Sequence, residues 1–175
     1  MIPIPRVNQI LQHHLYEDYS IKNKLAEEKR IYCRHGSDHG LSVARIAYIY
    51  LLENWDDSSG ENSVLKADRG IAKEIVYAAG ILHDIGRWVE YETKEDHAQA
   101  GARLAVPILR ESGYEEQEIE VICQGILQHR LDPAAAQSEL GQALARADDW
   151  ARDCHNCESK ATCYKYTKDM EEILI

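Results

Sequence analysis

Ala79-Gly80-Ile81-Leu82-His83-Asp84-Ile85-Gly86-Arg87 is the stretch whose reading decides the fold. An apolar run delivers an imidazole and a carboxylate as neighbours, and Gly86 then permits the left-handed turn that commonly stops a helix. The stretch therefore predicts a helix end carrying two side chains of metal-ligand type. A chain with 8 His and 12 Asp in 175 residues holds roughly 0.5 His-Asp pairs by chance. The pair gains meaning from its company: His39, His97, His129 and Asp148 each stand where a helix can turn them inward.

Towards the N-terminus, helical spacing in Ile71, Ile75, Ala78, Ala79 and Leu82 predicts a helix from about Ala67 to Asp84. Trp55 to Ser63 is rich in turn formers and predicts a loop. Before it, residues 41, 44, 48, 51 and 52 form one apolar face, widened by Val43, Ile46 and Tyr50, so this helix is expected to be central and mostly buried. His39 opens its first turn. His35 shares that face only if the helix begins before Gly36. Residues 7–31 carry Val7, Ile10, Leu11, Leu15, Ile21, Leu25 and Ile31 at helical spacing and predict packing helices. His13 and His14 on this segment lack a partner at metal spacing and read as surface or core histidines.

Towards the C-terminus, Thr93 with Asp96 three residues later resembles a helix N-terminal box and places His97 in a first turn. Gly101 could let another backbone approach closely, and Pro107 is expected to kink or shorten this helix. Ile119, Ile122, Ile126 and His129 follow at spacings of three, four and three, so His129 points where the apolar face points. Asp132-Pro133 ends that helix. A last core helix carries Leu140, Leu144, Ala147 and Asp148; an unpaired carboxylate turned inward there is costly, while Asp149 is its exposed neighbour.

Composition narrows the function classes. Aromatic residues make up 7% of the chain and none is Phe, which favours helix over sheet. A formal charge of −10 argues against long nucleic acid and anionic membranes, whose binding needs Lys and Arg to neutralise phosphate. A small anionic ligand remains compatible, because a metal ion supplies positive charge locally. No apolar run approaches the roughly 20 residues of a membrane span, and the N-terminus lacks a signal-peptide pattern. The expected location is the cytoplasm, where five cysteines read as thiols or metal ligands rather than disulfides.

Five helices thus turn His or Asp inward, and shared coordination of a cation is the simplest common explanation. Imidazole and carboxylate ligands suit Mn, Fe, Co, Ni or Zn and do not choose among them. The matching segments are His39 in His-Gly-Leu-Ser-Val-Ala-Arg, His83-Asp84 in Leu-His-Asp-Ile-Gly, and Asp148 in Leu-Ala-Arg-Ala-Asp. In this order, over most of residues 35–150, the pattern resembles the HD superfamily of metal-dependent phosphohydrolases of the HDIG type. The resemblance implies an all-α, single-domain helical bundle in which His39, His83, Asp84 and Asp148 bind one metal ion. His97, in Asp-His-Ala-Gln-Ala-Gly-Ala-Arg-Leu-Ala, and His129, in Gly-Ile-Leu-Gln-His-Arg, match histidines that bind a second ion in some members. Asp84 would then bridge the two ions, and water activated between them would attack phosphorus. The alternative for each of these histidines is a hydrogen-bonded core residue or a substrate contact. Arg87 and Arg130 directly follow ligand segments and could reach a phosphate. His35 could protonate a leaving group.

The tail departs from the minimal family pattern. Cys154-x2-Cys157-x5-Cys163 has the spacing of a thiolate metal knuckle, with Cys33 as candidate fourth ligand: Cys33 precedes His39 by six residues and Cys154 follows Asp148 by six. Six residues span up to ~20 Å, which permits a shared site without requiring it. Four such cysteines could hold structural Zn or an iron–sulfur cluster, or remain reduced thiols; Cys123, among apolar neighbours, reads as a core residue. The expected organisation is packing helices over residues 1–30, an HD domain over 31–150 and a Cys-rich tail over 151–175 packed on it, ending in a polar helix. The expected activity is hydrolysis of a phosphoester or phosphoanhydride of a small molecule or nucleotide. The alternatives are a non-catalytic metal or nucleotide sensor, or redox-responsive binding protein, on the same bundle and, third, a di-iron oxygenase.

Overall fold

The structure, a computed structural model, describes residues 2–54, 65 and 68–167. Among these residues the regular elements are α1 (Pro5–Leu11), α2 (His14–Ala26), α3 (Ser37–Glu53), α4 (Arg69–Leu82), α5 (Arg87–Thr93), α6 (His97–Glu111), α7 (Glu116–Gln128), α8 (Glu139–Trp150) and a 3-10 turn at Lys160–Thr162. They form an all-α, single-domain bundle with no strand among the described residues. The loop expected at 55–63 lies outside the described residues, as does most of the polar helix expected at the chain end.

The helix that ends in His83-Asp84 is the centre of the bundle: α4 packs against α1, α3, α6, α7 and α8. Its sequence explains this, because Ala72, Ile75, Val76, Ala78, Ala79, Gly80, Ile81 and Leu82 leave almost no polar face in its second half. Asp68 caps the helix, its side chain accepting from the backbone N–H groups of Gly70 and Ile71. Small residues then set its approach to α3: a Cβ on Gly80 would sit 2.5 Å from Cα of Ala44. That crossing brings the first turn of α3 to the last turn of α4, and the rings of His39 and His83 stand 5.4 Å apart.

Five expectations are corrected here. Helix α3 is buried through Val43, Ala44, Ile46 and Ala47, but Ile49 and Leu52 are exposed, so the central position belongs to α4. On α2 the apolar residues Ile21 and Leu25 face outward, and the inward stripe is Tyr16, Asn23 and Glu27. Of the two effects expected of Pro107, shortening does not occur: helix α6 runs through it to Glu111. Gly86 has φ −90° and makes no left-handed turn; instead, a Cβ there would overlap the backbone nitrogen of Gly101. Its missing side chain lets the His83-Asp84 turn press against α6. Asp96, not Thr93, caps α6, accepting from the N–H groups of Ala98 and Gln99, and His97 opens the first turn.

Candidate metal centre

Five helix ends converge on one buried spot. His39 comes from the start of α3, His83 and Asp84 from the end of α4, His97 from the start of α6, His129 from the end of α7 and Asp148 from the last turn of α8. Among the described residues two groups of metal-ligating side chains have ligand atoms that all lie within 4.8 Å of one another: His39, His83, Asp84 and Asp148, and Asp84, His97 and His129. Asp84 belongs to both. Its Oδ2 lies 3.2 Å from His83 Nε2, while its Oδ1 lies 3.1 Å from His97 Nε2 and 3.7 Å from His129 Nε2.

The backbone fixes which nitrogen each ring offers. His83 Nδ1 donates to the Gly80 carbonyl at 2.7 Å, and His129 Nδ1 donates to the Ile126 carbonyl at 2.7 Å. His97 Nδ1 is held by the Glu90 carboxylate. In all three rings the Nε2 lone pair is therefore turned into the cluster, the arrangement in which an outer acceptor orients a ligand histidine. His97 Nε2 and His129 Nε2 stand 3.2 Å apart, and two lone pairs at that distance repel unless a cation or proton lies between them.

Two observations test whether a divalent ion fits. His83 Nε2 and Asp84 Oδ2 are buried with no hydrogen-bond partner, being close to each other but misaligned. Orphaned buried polar atoms are costly, and a cation satisfies both at once. Burial pulls the His83 imidazole down, but the carboxylates of Asp84 and Asp148 override it and hold its pKa up to about 9. The cluster thus carries negative charge that attracts a proton strongly, and a dication answers the same demand. Burial likewise pushes the Asp148 carboxyl up, yet its bond from His39 and the charges of His83 and Arg152 hold it well below the usual range. The donor set fits a metal.

Compared with known protein families, residues 36–153 match the HD domain. The chain belongs to the HD domain family. That family is one of metal-dependent phosphohydrolases, as the resemblance in the sequence implied. A protein of Clostridium beijerinckii (strain ATCC 51743 / NCIMB 8052), described as uncharacterized, is 38% identical over 158 residues, covering 90% of each chain. No solved structure matches.

Around this HD centre lie residues that the sequence reading did not single out. Asn23 of α2 reaches the turn from outside: its Nδ2 donates to the Asp84 carbonyl at 2.9 Å and its Oδ1 accepts from Trp88 N–H at 2.8 Å. It satisfies a helix-end carbonyl and a helix-start N–H together. Glu27, one turn later, accepts from His35 Nδ1 at 2.7 Å, His35 N–H at 2.8 Å and Arg87 Nε at 3.0 Å. Arg152 donates to Asp148 Oδ2 at 2.8 Å. Glu90 orients His97. Their only sequence signal is polar residues one turn apart on helices that otherwise pack.

His35 lies outside α3, as Gly36 predicted, yet Glu27 brings its Nε2 to 4.0 Å from Asp84 Oδ2. Burial pulls its pKa below the usual value against the pull of Glu27 and Asp84. Arg87 is mostly buried between Glu27 and Asp84. Arg130 sits at the rim, 2.5 Å from Asp96 Oδ2 and 3.3 Å from Glu90 Oε1. All three border a cavity of about 560 Å³ that also reaches His97, His129 and Asp148.

Glu27 offers a pH test. Burial pushes its carboxyl up, but the hydrogen bonds from His35 and the charges of His35 and Arg87 prevail and hold it at about 2. A depressed carboxyl contributes stability above its unfolded pKa and loses it as pH falls through the folded value. Glu27→Gln is expected to lower stability by about 2–3 kcal/mol at pH 7, and the deficit should shrink between about pH 4.5 and 2. Urea unfolding of both proteins at several pH values measures it; a deficit constant down to the acid limit contradicts the assignment.

Proposed function

We propose that this HD domain protein is a metal-dependent phosphohydrolase acting on a phosphoester or phosphoanhydride of a small molecule or nucleotide. The observation that carries the reading is Asp84, whose two carboxylate oxygens face two separate ligand groups, with His97, His129 and Asp148 of those groups bordering a cavity. His39, His83, Asp84 and Asp148 would hold one ion, and His97 and His129 with Asp84 a second. Such ions, drawn from Mn, Fe, Co, Ni or Zn, supply Lewis acidity toward a phosphoryl oxygen and lower the pKa of water.

The chain's own residues supply recognition. The protein carries a net charge of −10, yet Arg30, Lys94, Arg130, Lys160 and Lys165 border this cavity along with Arg87. Cations gathered in one concave wall attract an anion even against an overall negative charge. Tyr32, Tyr91 and Tyr164 border the same space and offer ring faces to a base or other flat group. Arg87 and Arg130 orient the phosphate, and His35 Nε2, steadied by Glu27, moves a proton to or from the leaving oxygen. No helix among the described residues is long and apolar enough to cross a membrane.

Phosphate release from a panel of nucleotides and sugar phosphates, with Mn added to metal-stripped protein, tests the proposal. The expected result is release from at least one class, abolished by chelation and restored by metal. Metal-saturated protein that binds a nucleotide and leaves it intact overturns it in favour of a sensor.

A further inference from the structure

Four cysteines come together from two distant segments, and none of them belongs to the His/Asp centre. Cys33 lies just before α3, while Cys154, Cys157 and Cys163 follow α8. The segments are stitched to each other: Ser159 Oγ donates to the Ile31 carbonyl at 2.9 Å, and Tyr32 Oη donates to the Thr162 carbonyl at 3.0 Å. The Tyr32 and Tyr164 rings meet edge to face at 6.1 Å. All four cysteines border the cavity of the metal centre. Within the tail the Cys154 carbonyl accepts from Cys157 N–H at 3.4 Å and the Cys157 carbonyl from Lys160 N–H at 3.3 Å, so the chain turns back on itself at its cysteines.

Something other than apolar burial must hold this tail. Among the described residues from 153 to 167, Cys154 is the sole buried residue. Partly exposed hydrogen bonds of the kind seen here contribute about 1 kcal/mol each. Segments too small for a core are held by disulfides or bound metal, and all four thiols are free.

The spacing of the sulfurs indicates what they hold. One tetrahedral ion with bonds of about 2.3 Å draws four sulfurs to within about 4 Å of each other. The His/Asp ligand atoms fall inside 4.8 Å, whereas no three of these four sulfurs do. A cradle wider than one ion suits a cluster in which each thiolate binds its own iron. Four thiolates on such a cluster leave net negative charge, and a cation stands by: Arg30 Nε donates to the Cys33 carbonyl at 2.7 Å.

We infer that Cys33, Cys154, Cys157 and Cys163 hold a [4Fe–4S] cluster that fastens the tail to the segment before α3 and builds one wall of the metal-site cavity. Arg152 links the two centres, since its guanidinium pairs with Asp148 and its carbonyl accepts from Cys154 N–H at 2.9 Å. The inference does not depend on the hydrolase reading, because an inert protein could still carry the cluster.

Anaerobic purification of the full chain, with iron and acid-labile sulfide analysis and a visible spectrum, tests it. Sulfide is the deciding quantity, since iron bound by His and Asp brings none. The expected result is about four sulfides per chain with a broad visible charge-transfer absorption. Cys33→Ser or Cys157→Ser should lose most of both, and Cys123→Ser, which changes a thiol bonded to the Ala102 carbonyl, should keep them. Zinc without sulfide overturns the inference, as does wild-type protein holding no metal at the tail; neither depends on a variant folding.

Discussion

Asp84→Asn is expected to lower phosphate release at least a thousandfold and to empty the centre of both ions. The reason is positional. Asp84 alone belongs to both ligand groups, with Oδ2 beside His83 and Oδ1 beside His97 and His129. An amide keeps the size but replaces one anionic oxygen with an N–H2 donor that cannot ligate a cation. Its donors would meet Nε2 atoms freed as lone pairs by the bonds at Nδ1, so the variant could gain hydrogen bonds and remain folded. A thousandfold loss corresponds to about 4 kcal/mol of transition-state stabilisation. Asp148→Asn should act more narrowly, weakening the ion nearest His39 and leaving the one held by His97 and His129. Metal content by elemental analysis, beside kcat and KM, separates these outcomes. An Asp84→Asn variant that keeps two ions, or whose kcat falls less than tenfold, removes the basis of the two-ion reading.

The all-α bundle was legible because apolar periodicity and the His-Asp helix end agree: the same residues that make α4 buried on nearly every side also deliver its ligands to the middle of the molecule. His129 and Asp148 were legible for a related reason, each lying one helical step beyond a buried apolar residue, Ile126 and Leu144. Periodicity failed on α2. There Ile21 and Leu25 satisfy an apolar count yet face outward, while Asn23 and Glu27 turn inward. Their burial follows from partners supplied by α4 and α5, the Asp84 carbonyl, Trp88 N–H and Arg87, which no local window contains. Glu90 and Arg152 escaped notice likewise, since a carboxylate bonded to His97 and a guanidinium bonded to Asp148 look in sequence like solvated charges on a helix.

Gly86 shows how a residue with no side chain can decide chemistry elsewhere, and Gly86→Ala should be the most damaging of the small substitutions. Its φ of −90° is open to any residue, so alanine meets no backbone strain. The obstacle is contact: the new methyl carbon would overlap Gly101 N and stand 2.6 Å from the His97 carbonyl oxygen and 2.9 Å from Ala100 C. All three are backbone atoms of α6, which cannot rotate aside as a side chain would, so the helix must move. Overpacking of this kind costs about 3 kcal/mol or more, a fall in Tm of roughly 6–12 °C for a chain of this size. His97 opens α6, so displacement should carry its Nε2 away from Asp84 and His129 and release the second ion before the first. Gly36→Ala is the matched control, because a Cβ there meets nothing within 4 Å, and it should change stability by less than about 1 kcal/mol. Calorimetry with metal titration checks both. A Gly86→Ala variant as stable as wild type, or one that loses the two ions together, would show that the contact between the His83-Asp84 turn and α6 does not set the second half of the centre.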